Sequence, residues 1–169
     1  FMPNQHPFTI YNASAGSGKT FTLVKEYLKI LLLSNNPEEF KYILAITFTN
    51  KAVGEMKERI ITTLIECASE SILENPTSMF TLLSKELPMH PDDLQVKSDK
   101  ILNSIIYNYA AFDVSTIDGF NHRLIRTFAH DLKLPLNFEV ELNTESLLNE
   151  AVDRLIAKAG TNKELTKVL

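Results

Sequence analysis

Residues 13–20, Ala13-Ser14-Ala15-Gly16-Ser17-Gly18-Lys19-Thr20, carry the strongest structural signal in this chain. The phosphate-binding loop pattern asks for Gly, four residues, then Gly-Lys-Ser/Thr. Ala13 stands where the first glycine is usual, and Gly18-Lys19-Thr20 completes the pattern. Gly16 and Gly18 permit backbone angles that a Cβ would block, so successive N–H groups can turn inward on phosphate oxygens. Lys19 brings a mobile positive charge to β- and γ-phosphates. The Thr20 hydroxyl suits Mg²⁺ and makes this residue the metal candidate. Phe8 to Tyr11 reads as a strand. Phe21 onward reads as a helix with Leu23, Tyr27, Leu28 and Leu31 on one face, its positive dipole end aimed at the same anion. Strand, loop, helix is the context in which this pattern holds a nucleotide. A Gly/Ser turn that binds nothing is the plainer alternative, and it explains less of that context.

The next segments extend the alternation. Tyr42 to Phe48 is a nearly continuous apolar run, which suits a central parallel strand covered on both faces. Val53, Met56, Ile60, Leu64, Ala68 and Ile72 are spaced three and four apart, as on a helix that ends by Pro76. A short apolar segment around Leu82 and Leu83 precedes Pro88 and Pro91, and a helix is expected from about Val96 to Tyr109, with Leu102, Ile105, Ile106 and Tyr109 inward. Phe112, Val114 and Thr116 alternate with Asp113, Ser115 and Ile117 as a third strand. Phe120, Leu124 and Phe128 follow at helical spacing until Pro135. Asn137 to Leu142 reads as extended. Thr144 then caps a helix with Leu147, Leu148, Ala151, Leu155 and Ile156 on one face, stopped by Gly160. Strands alternating with helices predict an α/β domain around a parallel sheet.

The bulk properties narrow the class. With 169 residues, 44% of them apolar and 22% charged, the chain is long enough for a globular core. A single cysteine, Cys67, excludes a disulfide framework, suits a reducing compartment and reads as a small core residue. Apolar runs such as Ile30 to Leu33 are too short to span a bilayer, and no signal peptide is visible, so a cytoplasmic location is expected. Net charge is −4. Lys41, Lys51, Lys57 and Arg59 outnumber Glu55 and Glu58 in residues 41–60, whereas residues 61–100 and 134–153 carry the acidic excess. The acidity therefore lies away from the polar strand ends.

Those strand ends are the remaining candidates. Thr47-Phe48-Thr49-Asn50-Lys51-Ala52 closes the second strand at the sheet edge where ligands bind in open α/β folds. Its hydroxyls, amide and lysine can hold phosphates, and Phe48 can stack on a base. A strand-to-helix turn with Thr49 or Asn50 as N-cap is the plainer reading, and on chemistry alone the better one. Val114-Ser115-Thr116-Ile117-Asp118-Gly119-Phe120 ends the third strand in the same way. Ser115, Thr116 and backbone N–H groups near Gly119 can hold a phosphate backbone, or simply start a helix.

Taken in order, ASAGSGKT, ITFTNKAVGEMKERI and VSTIDGF resemble motifs I, Ia and Ib of superfamily 1 helicases of the UvrD/RecB type. The branch they most resemble is the RecB/AddA-like ATP-dependent exonuclease and helicase, over residues 8–157. The resemblance implies a P-loop NTPase (RecA-like) parallel sheet flanked by helices, incomplete here, with a helical insert. It places residues 1–135 in the first part of motor domain 1A and residues 136–169 at the start of helical subdomain 1B. It implies ATP and Mg²⁺ as cofactors, cradled by Ala13, Ser14, Ala15, Gly16, Ser17, Gly18, Lys19 and Thr20, with Lys19 and Thr20 in the catalytic role. It implies single-stranded DNA contacts from Phe48, Thr49, Asn50, Lys51, Ser115, Thr116 and Phe120. It also implies work in DNA repair and, as a further partner, a second subunit. Asp118 departs from the family's commoner histidine. Gln5, the one candidate for reading adenine, lies close to the loop.

No apolar strand ends in Asp-Glu, the pair that holds Mg²⁺ and positions water; Tyr109 to Asp113 only approximates it. The expectation is an N-terminal piece of a longer helicase, itself inactive in hydrolysis. Two other classes compete. A self-contained P-loop kinase or nucleotide switch would need an arginine-rich lid, against four arginines here, Arg59, Arg123, Arg126 and Arg154. A single-strand-binding module would use the loop only to fold.

Overall fold

The structure, a computed structural model, describes residues 9–11, 18–135, 137–138 and 144–158. It is a mixed α/β chain, mostly helical, with two strands in a short parallel sheet. The order is α1 (Lys19–Leu33), β1 (Ala45–Thr47), α2 (Asn50–Ala68), α3 (Ser78–Glu86), α4 (Pro91–Tyr107), β2 (Val114–Thr116), α5 (Ile117–Thr127) and α6 (Thr144–Ala157). Helices α2, α3 and α4 intervene between the two strands. The chain divides into two compact units, residues 1–120 and 121–169. No helix among the described residues is long and apolar enough to cross a membrane.

The first unit is built by α1, α2 and α4 packing on one another, with α2 against the sheet. Val24, Tyr27, Leu28, Leu31 and Leu32 of α1 are buried with Met56, Ile60, Leu64 and Cys67 of α2 and Leu94, Ile101 and Ile105 of α4. Burying one such side chain stabilises by about 1.5–3 kcal/mol, which outweighs the weak helix propensity of the β-branched members. Ser98 sits in this core because its hydroxyl donates to the Leu94 carbonyl at 2.8 Å. Helix ends are also satisfied. Thr77 accepts the Phe80 N–H at 3.2 Å to start α3, Pro91 occupies the first turn of α4, and Lys97 donates to the carbonyls of Leu32 and Ser34 at the end of α1.

Several sequence expectations change. Residues 9–11 are exposed and form no strand, because a strand exists only through a neighbour's hydrogen bonds and the described sheet holds β1 and β2 alone. The run 42–48 is not doubly covered. Tyr42 ends a 3₁₀ turn (Glu39–Tyr42) that buries Phe40, and alternation along β1 turns Ala45 inward and leaves Ile46 42% exposed. Leu23 lies outside the buried stripe of α1, which runs through Val24 instead. Residues 78–86, expected only as a short apolar segment, are a full helix with Met79, Phe80 and Leu83 inward. Helix α4 begins at Pro91 rather than Val96, and Ile106 and Tyr109 are exposed while Leu94 and Ile101 take the inner face. Ile117 belongs to α5, not to the strand. Helix α6 forms where expected but starts at Thr144 itself, and its Leu147, Leu148, Leu155 and Ile156 stand exposed. Phe8, Gln5, residues 139–142 and Gly160 lie outside the described residues.

Candidate nucleotide and nucleic-acid site

Residues 13–17 of the loop lie outside the described residues; the structure describes its end. Gly18 has φ 77°, the left-handed region in which glycine is unstrained, and it is the N-cap of α1. Its carbonyl accepts the Thr22 N–H at 2.9 Å, so the helical ladder opens there. Among the described residues no side chain caps this end, and the first turn holds no acidic residue. The N–H groups at the start of α1 and its dipole therefore face outward beside the exposed Lys19 and the half-buried Thr20. That is a donor set fitted to phosphate: amide hydrogens, an ammonium group and a hydroxyl, with no carboxylate in the first turn of α1. The Thr20 hydroxyl, directly after Lys19, is the oxygen that the motif offers to Mg²⁺. Among the described residues no cluster of three His, Cys, Asp or Glu is placed to hold a metal.

The two strand ends come together. β1 and β2 run parallel in the register Ala45↔Val114, Ile46↔Ser115 and Thr47↔Thr116. Both chains therefore leave the sheet at the same end, and residues 48–51 lie beside residues 117–120. Phe48 is 85% exposed, so it is no core residue although it continues an apolar run. The Lys51 side chain is 88% exposed, with Glu55 one turn along at 3.9 Å. Such an exposed i,i+4 pair is weak and leaves the ammonium available to a stronger anion.

The capping alternatives are realised as well. Thr49 accepts the Ala52 N–H at 3.1 Å and starts α2. Thr116 accepts the Gly119 N–H at 3.0 Å and starts α5. A hydroxyl that accepts a cap bond keeps its own proton to donate, so capping and phosphate contact are compatible at both positions. The Gly119 amide is different: Thr116 takes it, so it does not serve a phosphate as the sequence suggested. A Cβ at Gly119 would come 3.1 Å from Thr116 Oγ1, so any larger residue there makes the capping hydroxyl give by a few tenths of an ångström. Ser115 and Phe120 are half-buried, and Asp118 is exposed.

Sequence reasoning missed two features of this region. Lys57 turns away from the strand ends; its ammonium lies 5.0 Å and 5.4 Å from the ring centres of Tyr109 and Phe112 and ties α2 to the lead-in of β2. Charge counting cannot distinguish that placement from a DNA-facing one. A cavity of about 580 Å³ runs along α1, α2 and α3, lined by residues including Phe21, Glu55, Arg59, Thr62 and Met79, and it contains none of the predicted site residues.

The UvrD/REP helicase N-terminal domain family model matches residues 3–168. An ATP-dependent helicase/nuclease subunit of Clostridium novyi (strain NT) is 32% identical over 139 residues, covering 82% of this chain and 9% of that protein. The proteins of the same name from Clostridium acetobutylicum and Streptococcus suis (strain 98HAH33) are each 31% identical, over 91% and 88% of this chain and 10% of their own length. The chain thus spans about a tenth of the relatives it matches. No solved structure matches it. The extent of the family match and the identity of these relatives lead to one conclusion: the chain belongs to the UvrD/REP helicase N-terminal domain family.

Proposed function

We propose that this chain is the ATP- and single-stranded-DNA-binding N-terminal part of an ATP-dependent helicase/nuclease of the recombination and repair type. Residues 13–20 hold ATP, with Lys19 on the β- and γ-phosphates and Thr20 toward Mg²⁺. The nucleotide supplies the phosphoanhydride whose cleavage drives movement. The chain's own contribution is binding and charge neutralisation at the start of α1. Phe48, Thr49, Asn50 and Lys51 take DNA from one strand end, and Ser115, Thr116 and Phe120 from the other. Residues 1–135 form the first part of a RecA-like motor domain, and residues 136–169 begin a helical subdomain. The carboxylates that position water, the second motor domain and a second subunit come from outside this span, and the protein works in the cytoplasm.

The observation that carries this reading is the parallel register that ends β1 and β2 together at Thr47 and Thr116. A nucleotide kinase has no need of an exposed phenylalanine and lysine beside a second hydroxyl-bearing strand end. Family membership favours the helicase reading over that alternative. The test is Lys19→Ala in the full-length protein, titrated with ATP by calorimetry. ATP binding is expected to be lost, with the melting temperature little changed because Lys19 is exposed. Equal affinities in mutant and wild type would refute the nucleotide assignment.

A further inference from the structure

Tyr27 lies on α1 about two turns beyond Thr20. It is 4% exposed, and its ring meets the edge of Phe112 at 6.0 Å between centres. Phe112 is a hub. Phe40 from the lead-in to β1 packs on it at 6.4 Å, Tyr109 at 6.0 Å, and the Lys57 ammonium of α2 sits over both the Tyr109 and Phe112 rings. The helix that starts at the nucleotide loop and the two segments that lead to the strand ends thus converge on one aromatic ring.

In this cluster the Tyr27 hydroxyl is buried and has no hydrogen-bond partner among the described residues. A phenylalanine would fill the same space without leaving a polar group unsatisfied, so the hydroxyl needs an explanation. The charge that acts on it is Asp113, next to Phe112 in the chain. Burial first, and then this carboxylate, push the phenol's pKa well up, so the O–H keeps its proton and is a donor. Asp113 also ties the strands together, because its backbone carbonyl accepts the Ala45 N–H at 3.1 Å. A carboxylate has room for several donors, whatever else it engages.

We propose that Tyr27 is a positioning residue that couples the nucleotide end of α1 to the strand-end edge: when nucleotide fills the loop, α1 shifts and the Tyr27 hydroxyl donates to the Asp113 carboxylate. The inference rests on the reading of the α1 N-terminus as a nucleotide site. The hydroxyl then has two discrete states, unbonded and bonded, and nucleotide biases the second. The bond sets where α1 stands relative to β1 and β2, and so the placement of residues 48–51 and 115–120. By linkage, DNA changes nucleotide affinity by the same factor.

The test compares wild type with Tyr27→Phe in the full-length protein. The affinity of a labelled oligothymidine is measured with and without a non-hydrolysable ATP analogue, and the affinity of the analogue by calorimetry. In wild type the analogue is expected to change oligothymidine affinity on the order of tenfold. Tyr27→Phe should bind each ligand alone much as wild type does, melt no lower, and bring that factor close to unity. Hydrogen exchange at the Ala45 amide gives a second readout: the analogue should slow it in wild type and leave it unchanged in Tyr27→Phe. A mutant that binds the analogue and keeps the wild-type factor and exchange response overturns the inference alone. A wild type that does not bind the analogue overturns the nucleotide reading and the inference with it.

Discussion

Phe48→Ala separates an exposed stacking ring from a core residue. Phe48 is 85% exposed, so roughly 30 Å² of a typical 200 Å² ring surface is withdrawn from water, equivalent to less than about 1 kcal/mol of burial. Its loss should therefore shift the melting temperature by no more than about 2–4 °C, and less in a longer chain. Stacking of one base on an aromatic side chain contributes about 1–3 kcal/mol, so oligothymidine should bind about 5- to 150-fold more weakly to the mutant. The ring is neutral, so the slope of log affinity against log salt should not change. Lys51→Ala, in contrast, should lower that slope by about one counterion. The buried Phe112 is the control, since Phe112→Ala should destabilise by about 3–5 kcal/mol. Fluorescence anisotropy at several salt concentrations, run beside a thermal melt on the full-length protein, reads all three variants. Unchanged oligothymidine affinity in Phe48→Ala would remove the residue from the DNA site. A melt depressed as far as that of Phe112→Ala would show that the ring is part of the core.

Three further outcomes follow from the packing. Thr49→Ala removes the cap of α2 and should cost about 1 kcal/mol in chemical denaturation, while Thr49→Asn, which also caps, should recover most of it. Glu86 binds Lys25 at 2.6 Å and Lys29 at 2.9 Å, joining α1 to α3. The hydrogen bonds from these lysines hold the Glu86 carboxyl below its ordinary 4.5, and those to Glu86 raise Lys25 and Lys29 above 10.5. The carboxylate's contribution is then complete above pH 4.5 and fades as pH falls through its folded value, whereas the lysines' is complete below pH 10.5 and fades as pH rises through theirs. Exposed pairs of this kind contribute less than about 1 kcal/mol, so a denaturant titration of Glu86→Gln should differ from wild type by no more than that at pH 7 and converge with it in acid. Burial pushes the Cys67 thiol up to about 12, so an alkylating reagent at pH 8 should label it only after unfolding; labelling of the native protein at the rate of a free thiol would contradict its place in the core.

The periodicity of α1, α2 and α6 and the polar strand-to-helix turns at Thr49 and Thr116 were legible because helical spacing and capping chemistry are local. The motif order 13–20, 47–52 and 114–120 pointed to the family for the same reason: each segment is a short run whose residue types suit one task. The parallel pairing of two strands 69 positions apart (Ala45 and Val114) was expected only from the alternation of elements, and its register could not be read from either strand alone. Exposure was the least legible property. An apolar run such as Tyr42–Phe48 looks buried on both faces, yet whether Ile46 and Phe48 meet water depends on which helices cover the sheet, and α2 lies on the Ala45 side. Lys57 and Lys51 are six residues apart with the same charge. One lies over the aromatic hub and the other in solvent, because a 100° turn per residue sends neighbours on a helix to different surroundings. The convergence of Tyr27, Phe40, Tyr109 and Phe112 belongs wholly to the tertiary structure, since it joins residues up to 85 positions apart that share no local pattern.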